Sequence, residues 1–170
     1  VEAEGGKKMA QQTEEMRVAF NQLYKQMDEL YHAYAKACGV PDTVFWLLYS
    51  LYEGGAYTQH ELCQAWHYPP QTVNSALKNM ERQGLVALRA VPGNRKSKLV
   101  ALTDKGQQAM RRLVGPAVRA EQNALQRMGP GQAHELWALT KQYTECLRAE
   151  LGGAQACAAP GMPQREGRNV

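Results

Sequence analysis

Two adjacent prolines, Pro69 and Pro70, constrain this chain more than any other feature. The residue before a proline disfavours the helical region, and proline itself is best accommodated in the first turn of a helix. One helix must therefore end before Pro69, and another can begin at Pro70. Upstream, Thr58 with Glu61 three residues later is the capping-box pattern. It predicts a short helix running to about His67, with Leu62, Cys63 and Trp66 on its buried face. Downstream, the second helix runs to about Gln83, and Gly84 ends it. The segment LVALRAVPGNRKSKLVALT follows. Its alternation predicts two short strands, around Leu85–Ala90 and Lys98–Leu102, with Pro92, Gly93 and Asn94 in the turn and a basic tip.

Longer helices flank this centre. Met16, Phe20, Leu23, Met27, Leu30 and Tyr34 recur at alternating spacings of four and three, a helical stripe with a heptad beat. Gly39 and Pro41 end that helix, and Asp42 or Thr43 starts the next. The nearly continuous apolar run VFWLLYSLY then calls for burial on most sides before Gly54-Gly55. Thr103 caps a long helix reaching about Met128, which Gly115-Pro116 should kink. After Gly129-Pro130-Gly131, a last helix carries Leu136, Leu139, Tyr143, Leu147 and Leu151. Residues 1–8 are expected to be disordered, as is the tail 152–170, which is rich in Gly, Ala and Pro.

With 44% apolar and 21% charged residues the chain reads as globular. No run reaches the roughly 18 apolar residues of a membrane span, and the N-terminus is polar, so a cytoplasmic location is expected. Cys38, Cys63, Cys146 and Cys157 form no CxxC pair, against a disulfide framework or a zinc ribbon. P-loop, GxSxG, HExxH and Rossmann glycine patterns are all missing, which points away from an enzyme. No catalytic residue, metal site or cofactor is assigned.

Charge is distributed unevenly. Residues 69–100 hold Lys78, Arg82, Arg89, Arg95, Lys96 and Lys98 against Glu81 alone, whereas residues 1–35 hold four cations against six carboxylates. A local basic excess suits a polyanion, although a solvated surface would look the same from charge alone. The order decides more: short helix, sharp turn, second helix, hairpin is the winged helix-turn-helix arrangement. At 100° per residue, Val73, Leu77, Met80 and Gly84 share the core face of the second helix. Gln71, Asn74, Ser75, Lys78 and Arg82 lie opposite, where amides, hydroxyls and cations could meet base edges and phosphates. The N-terminal half of such a helix reaches deepest, which favours Gln71, Thr72, Asn74, Ser75 and Lys78 over Arg82. Arg95 and Lys96 at the hairpin tip, with Lys98 behind, suit a minor groove.

The stretch PPQTVNSALKNMERQGLV followed by NRKSKLVALTDKG resembles the MarR family of bacterial regulators. The resemblance spans about Met9 to Leu151, and TVNSALKNME and LTDKG are its most specific pieces. It implies a mainly α fold: a winged helix-turn-helix with a small β-hairpin wing and N- and C-terminal dimerisation helices. The winged core would cover about 41–102, and the dimerisation helices about 9–38 and 103–151. It also implies a homodimer on a pseudo-palindromic duplex DNA operator, usually a repressor released by a small ligand or by oxidation. Gln71, Thr72, Asn74, Ser75 and Lys78 fall on recognition-helix positions and Arg95 on the wing arginine. Where the family often has Asp-Arg-Arg, this chain has Asn94-Arg95-Lys96, without the carboxylate.

Other residues carry two readings each. His60, Cys63 and His67 share a helical face, as metal ligands would, but a small buried cysteine flanked by histidines is the preferred account. Cys38 is either structural or the thiol of a redox-sensing regulator. Nine of the thirteen aromatics lie between Phe20 and Tyr57. Most should be core, while Tyr31, Tyr34, Trp46 and Tyr49 are candidates to line a pocket for a small aromatic effector. A winged-helix protein-interaction module without DNA remains the alternative function.

Overall fold

The computed structural model describes the backbone of residues 2–91 and 94–153 and the side chains of 5–90 and 98–152. Six helices and three strands follow in the order α1 (Glu2–Ala37), α2 (Asp42–Gly54), β1 (Tyr57–Thr58), α3 (Gln59–Trp66), α4 (Pro70–Arg82), β2 (Val86–Val91), β3 (Asn94–Leu102), α5 (Asp104–Met128) and α6 (Pro130–Gly153). The fold is mainly helical, with a small antiparallel sheet of order β1-β3-β2. The described residues fall into two compact units, one up to Arg119 and one from Ala120 on. The division falls within α5, which runs on through Pro116.

In the first unit α2 lies at the centre. Phe45, Leu47, Leu48 and Leu51 are essentially inaccessible, as its continuous apolar run requires. Around them close Leu62 of α3, Val73, Leu77 and Met80 of α4, Val86 and Val100 of the sheet, Val114 of α5 and Ala35 of α1. The one buried polar side chain among the core residues, Ser50, is satisfied: its Oγ accepts from Trp66 Nε1 at 2.6 Å and donates to the Trp46 carbonyl at 3.1 Å. Only the C-terminal end of α1 joins this core, through Tyr31, Tyr34 and Ala35. Farther back Met9, Met16, Leu23, Met27 and Leu30 are exposed.

The second unit comprises the end of α5 and α6, joined at Gly129 with φ of 83°. Leu125, Leu136, Trp137, Leu139, Tyr143, Leu147 and Leu151 are exposed in it. An open cleft of about 700 Å³, lined in part by Leu125, Leu136 and Trp137, lies within this unit.

Residues 2–8 belong to α1. Glu2 and Glu4 suit the positive end of a helix, no proline intervenes, and Gly5 and Gly6 cost little beside an established helix. The sheet has a third strand, β1, whose Tyr57 and Thr58 pair with Val100 and Leu99; two residues are too few to show a period. The hairpin strands extend farther than the alternation suggested, leaving only residues 92 and 93 between them. Pro92 and Gly93 of the expected turn lie outside the described residues. So does the tail from residue 154, including Cys157, while Gly152 and Gly153 close α6.

Candidate nucleic-acid interface

The helix-turn-helix is assembled from local signals. Thr58 Oγ1 accepts from the Glu61 N–H at 3.3 Å, and Glu61 Oε2 accepts from the Thr58 N–H at 2.6 Å, completing the capping box of α3. The backbone hydrogen bond from Thr58 holds the Glu61 carboxyl below the usual carboxylate range. His67 closes α3 in the left-handed region, at φ 51° and ψ 27°. Pro69 is extended, and Pro70 opens α4 where a missing N–H costs nothing.

The faces of α4 separate sharply. Val73, Leu77 and Met80 are buried to within 1%. Gln71, Thr72, Ser75, Lys78 and Arg82 are exposed, and Asn74 is half-buried. Gly84, assigned to the core face from its angle, is exposed beyond the helix end with φ of 70°, because the helix stops at Arg82.

The LTDKG segment proves to be a clamp on the end of α4. Thr103 Oγ1 donates to the Gly84 carbonyl at 2.6 Å and accepts from the Gly106 N–H at 3.0 Å, capping α5. Lys105 Nζ donates to the Gln83 carbonyl at 2.7 Å. Gly106 is buried so tightly that a Cβ there would lie 1.8 Å from the Leu85 carbonyl oxygen. Arg82 is steadied by Asn79, whose Oδ1 accepts from its Nη2 at 3.0 Å. These contacts fix the wing relative to α4; the Thr103 cap was legible in the sequence, whereas the contacts with Gln83, Gly84 and Leu85 had no signal there beyond the family resemblance.

In the wing, Val86, Ala87, Leu88, Arg89 and Ala90 pair in register with Leu102, Ala101, Val100, Leu99 and Lys98. The register then shifts, with Val91 opposite Asn94, so residues 95–97 are extra on β3. Arg95 and Lys96, expected at the turn tip, belong by backbone to β3 in this irregular stretch; their side chains lie outside the described residues. Lys98 is exposed and, by the pleat, shares the face of Val100. Arg89, which sequence reasoning passed over, is exposed on the opposite face.

The four candidate pocket residues do come together, but as packed rings. Trp46 lies 4.9 Å from Tyr31, 5.5 Å from Tyr49 and 4.3 Å from Trp66 between centroids. Tyr34 packs edge-on to Phe45, and its hydroxyl donates to the Leu113 carbonyl at 2.8 Å. Burial, then the hydrogen bond with Cys38, raises the Tyr34 phenol above its ordinary range. Burial likewise pushes the Cys63 thiol up, which disfavours the thiolate that a metal or an oxidant needs. Among the described residues no three of His, Cys, Asp and Glu gather as metal ligands. No described helix is long and apolar enough to cross a membrane.

Residues 39–97, from the end of α1 to the tip of the wing, match the MarR family model. This winged-helix segment is of the MarR family. No curated relative matches the chain. Among solved structures it is similar to NMB1585, a MarR family regulator from Neisseria meningitidis, at TM-score 0.62 and 23% identity over 78% of this chain and 96% of that one. It is also similar to MepR of S. aureus, solved with DNA, at TM-score 0.60 and 18% identity over 75% and 94%. PcaV of Streptomyces coelicolor, solved with its natural ligand, matches at TM-score 0.57 and 16% identity over 74% and 91%. These likenesses establish a MarR-type winged-helix fold.

Proposed function

We propose that this chain is a DNA-binding transcription regulator that reads duplex DNA with α4 and steadies itself with the wing. One observation carries the reading: α4 is anchored by three buried residues while its opposite face presents Gln71, Thr72, Ser75 and Lys78 to solvent beside a basic hairpin. Amides, hydroxyls and a lysine on one exposed helix face are the chemistry of base-edge and phosphate recognition. Asn74, half-buried on that helix, and Arg95, Lys96 and Lys98 of the wing complete the proposed contact set.

The functional unit is a homodimer on a pseudo-palindromic operator. The exposed apolar residues of α1 and of α6 need cover, and two-fold assembly supplies it. The regulator is a repressor released by a small aromatic ligand acting at the Tyr31, Tyr34, Trp46 and Tyr49 cluster. PcaV, a transcriptional regulator solved in complex with its natural ligand, is a precedent for ligand binding on this fold.

A salt titration of the purified protein on a mixed-sequence duplex tests the core of this reading. Binding should fall steeply with salt, and Arg95→Ala should flatten the slope by about one unit per wing. Lys78→Ala should cost about 1–3 kcal/mol on a footprinted operator while leaving the fold intact. Salt-independent binding, or none, would return the chain to the protein-interaction reading. A monomeric mass at micromolar concentration would refute the dimer. A planar aromatic acid or phenol should weaken operator binding by about 1–3 kcal/mol.

A further inference from the structure

The apolar stripe of α1 keeps a strict period. Met9, Met16, Leu23 and Leu30 recur every seven residues, and Thr13, Phe20, Met27 and Tyr34 recur every seven between them. Met9, Met16, Leu23, Met27 and Leu30 are exposed, Leu30 by 70%. The helix joins the core only at Tyr31, Tyr34 and Ala35. On a straight helix a seven-residue repeat drifts by about 20° per heptad, so it stays in contact only with a helix of the same repeat wound around it. The stripe of α6 lacks that repeat. Leu136, Leu139, Tyr143, Leu147 and Leu151 step by three, four, four and four, and so walk around the helix. The helix with the matching repeat is a second α1.

The core sets the direction of pairing. Tyr34 packs on Phe45 and Ala35 is buried, so the winged core of the same chain already occupies the C-terminal end of the stripe. A parallel pair would bring two such cores to one end, on helix axes only about 8–10 Å apart. An antiparallel pair sends them to opposite ends. Charge does not favour the parallel pair either. Its orientation is commonly set by salt bridges between flanking positions, and one flank of this stripe holds Gln12, Ala19, Gln26 and Ala33. In the antiparallel register that covers the whole free stripe, Met16 faces Met27 of the second copy, Phe20 faces Leu23 and Thr13 faces Leu30. The two Tyr31–Ala35 stretches then lie about 23 residues apart along the pair, or about 34 Å. That is the scale on which two recognition helices meet successive major grooves, about 34–36 Å.

We propose that the free stripe of α1 pairs antiparallel with α1 of a second copy, Met16 against Met27, and that this pairing sets the spacing of the two winged cores. It deepens the homodimer reading above and rests on it. The test uses the full chain with its four cysteines replaced by serine, carrying Met16→Cys, Met27→Cys or both. Each protein is oxidised, run on a non-reducing gel and checked by sedimentation and thermal melting. The double variant should become a covalent dimer. Each single variant should not, because identical positions lie about 16 Å apart along the pair, beyond the roughly 7 Å reach of a disulfide. A charge pair repeats the test with the native cysteines in place. Met16→Lys should weaken the dimer about ten-fold or more by burying an unpaired charge, and adding Met27→Glu should restore much of the loss. A single cysteine variant that links to its own copy would overturn the antiparallel pairing. So would a wild-type dimer whose double cysteine variant never links and whose lysine variant assembles normally, which would leave the homodimer standing on another surface. If wild type sediments as a monomer, the homodimer reading falls first and the pairing with it.

Discussion

Replacing Gly106 by alanine sets two physical effects against each other at the joint between α4, the wing and α5. Gly106 is in the first turn of α5. On helix propensity alone, alanine should stabilise by up to about 1 kcal/mol. The structure reverses that sign. The new Cβ would lie 1.8 Å from the Leu85 carbonyl oxygen and 2.8 Å from its carbon, and both are backbone atoms. An ordinary contact needs well over 3 Å, so α5 and the start of β2 must separate by more than an ångström. Overpacking of this kind typically costs about 1–3 kcal/mol. The same displacement would stretch the Thr103 bonds to Gly84 at 2.6 Å and Gly106 at 3.0 Å, each worth about 1 kcal/mol. A net loss of about 1–3 kcal/mol follows, or a melting midpoint lower by several degrees. Urea and thermal denaturation measure it, with Gly131→Ala as control, since nothing lies within 4 Å of that position. A Gly106→Ala protein as stable as wild type, or more so, would refute the close approach of α5 to the wing.

Four further outcomes are expected. Thr58→Ala should destabilise by about 1 kcal/mol through loss of the α3 cap, seen in urea midpoints. Because the folded Glu61 carboxyl titrates below its unfolded value, its stabilisation is present above the ordinary carboxylate range and lost as pH falls through the folded pKa. The midpoint gap between wild type and Glu61→Gln should therefore be open at neutral pH and close in acid. Leu77→Ala, at a fully buried position, should cost about 2–5 kcal/mol and weaken DNA binding in step with folding, whereas Lys78→Ala should leave urea stability unchanged. Trp66→Phe, which deletes the 2.6 Å bond to Ser50 but keeps most of the ring packing, should lose about 1 kcal/mol in the same assay.

What the sequence determined by itself was whatever a few neighbouring residues decide. The capping box at Thr58 and Glu61, the break at Pro69-Pro70 and the amphipathic period of α4 are short-range physics, and the structure places all three as read. The sorting of Val73, Leu77 and Met80 inward, with Gln71, Ser75 and Lys78 outward, follows from one angle per residue. Long-range pairing was decided by the tertiary structure alone. Tyr57-Thr58 becomes a strand only because Leu99 and Val100 offer it an edge. The extra residues 95–97 exist only because β2 and β3 change register. The four candidate pocket aromatics lie on two consecutive helices, α1 and α2, yet Trp66, twenty residues beyond Trp46, closes over Trp46, and no periodicity could announce that. The Thr103, Lys105 and Gly106 clamp meets carbonyls about twenty residues earlier in the chain. Contacts of that kind depend on where the whole backbone goes, because a carbonyl or a ring edge is offered by the fold and not by neighbouring side chains.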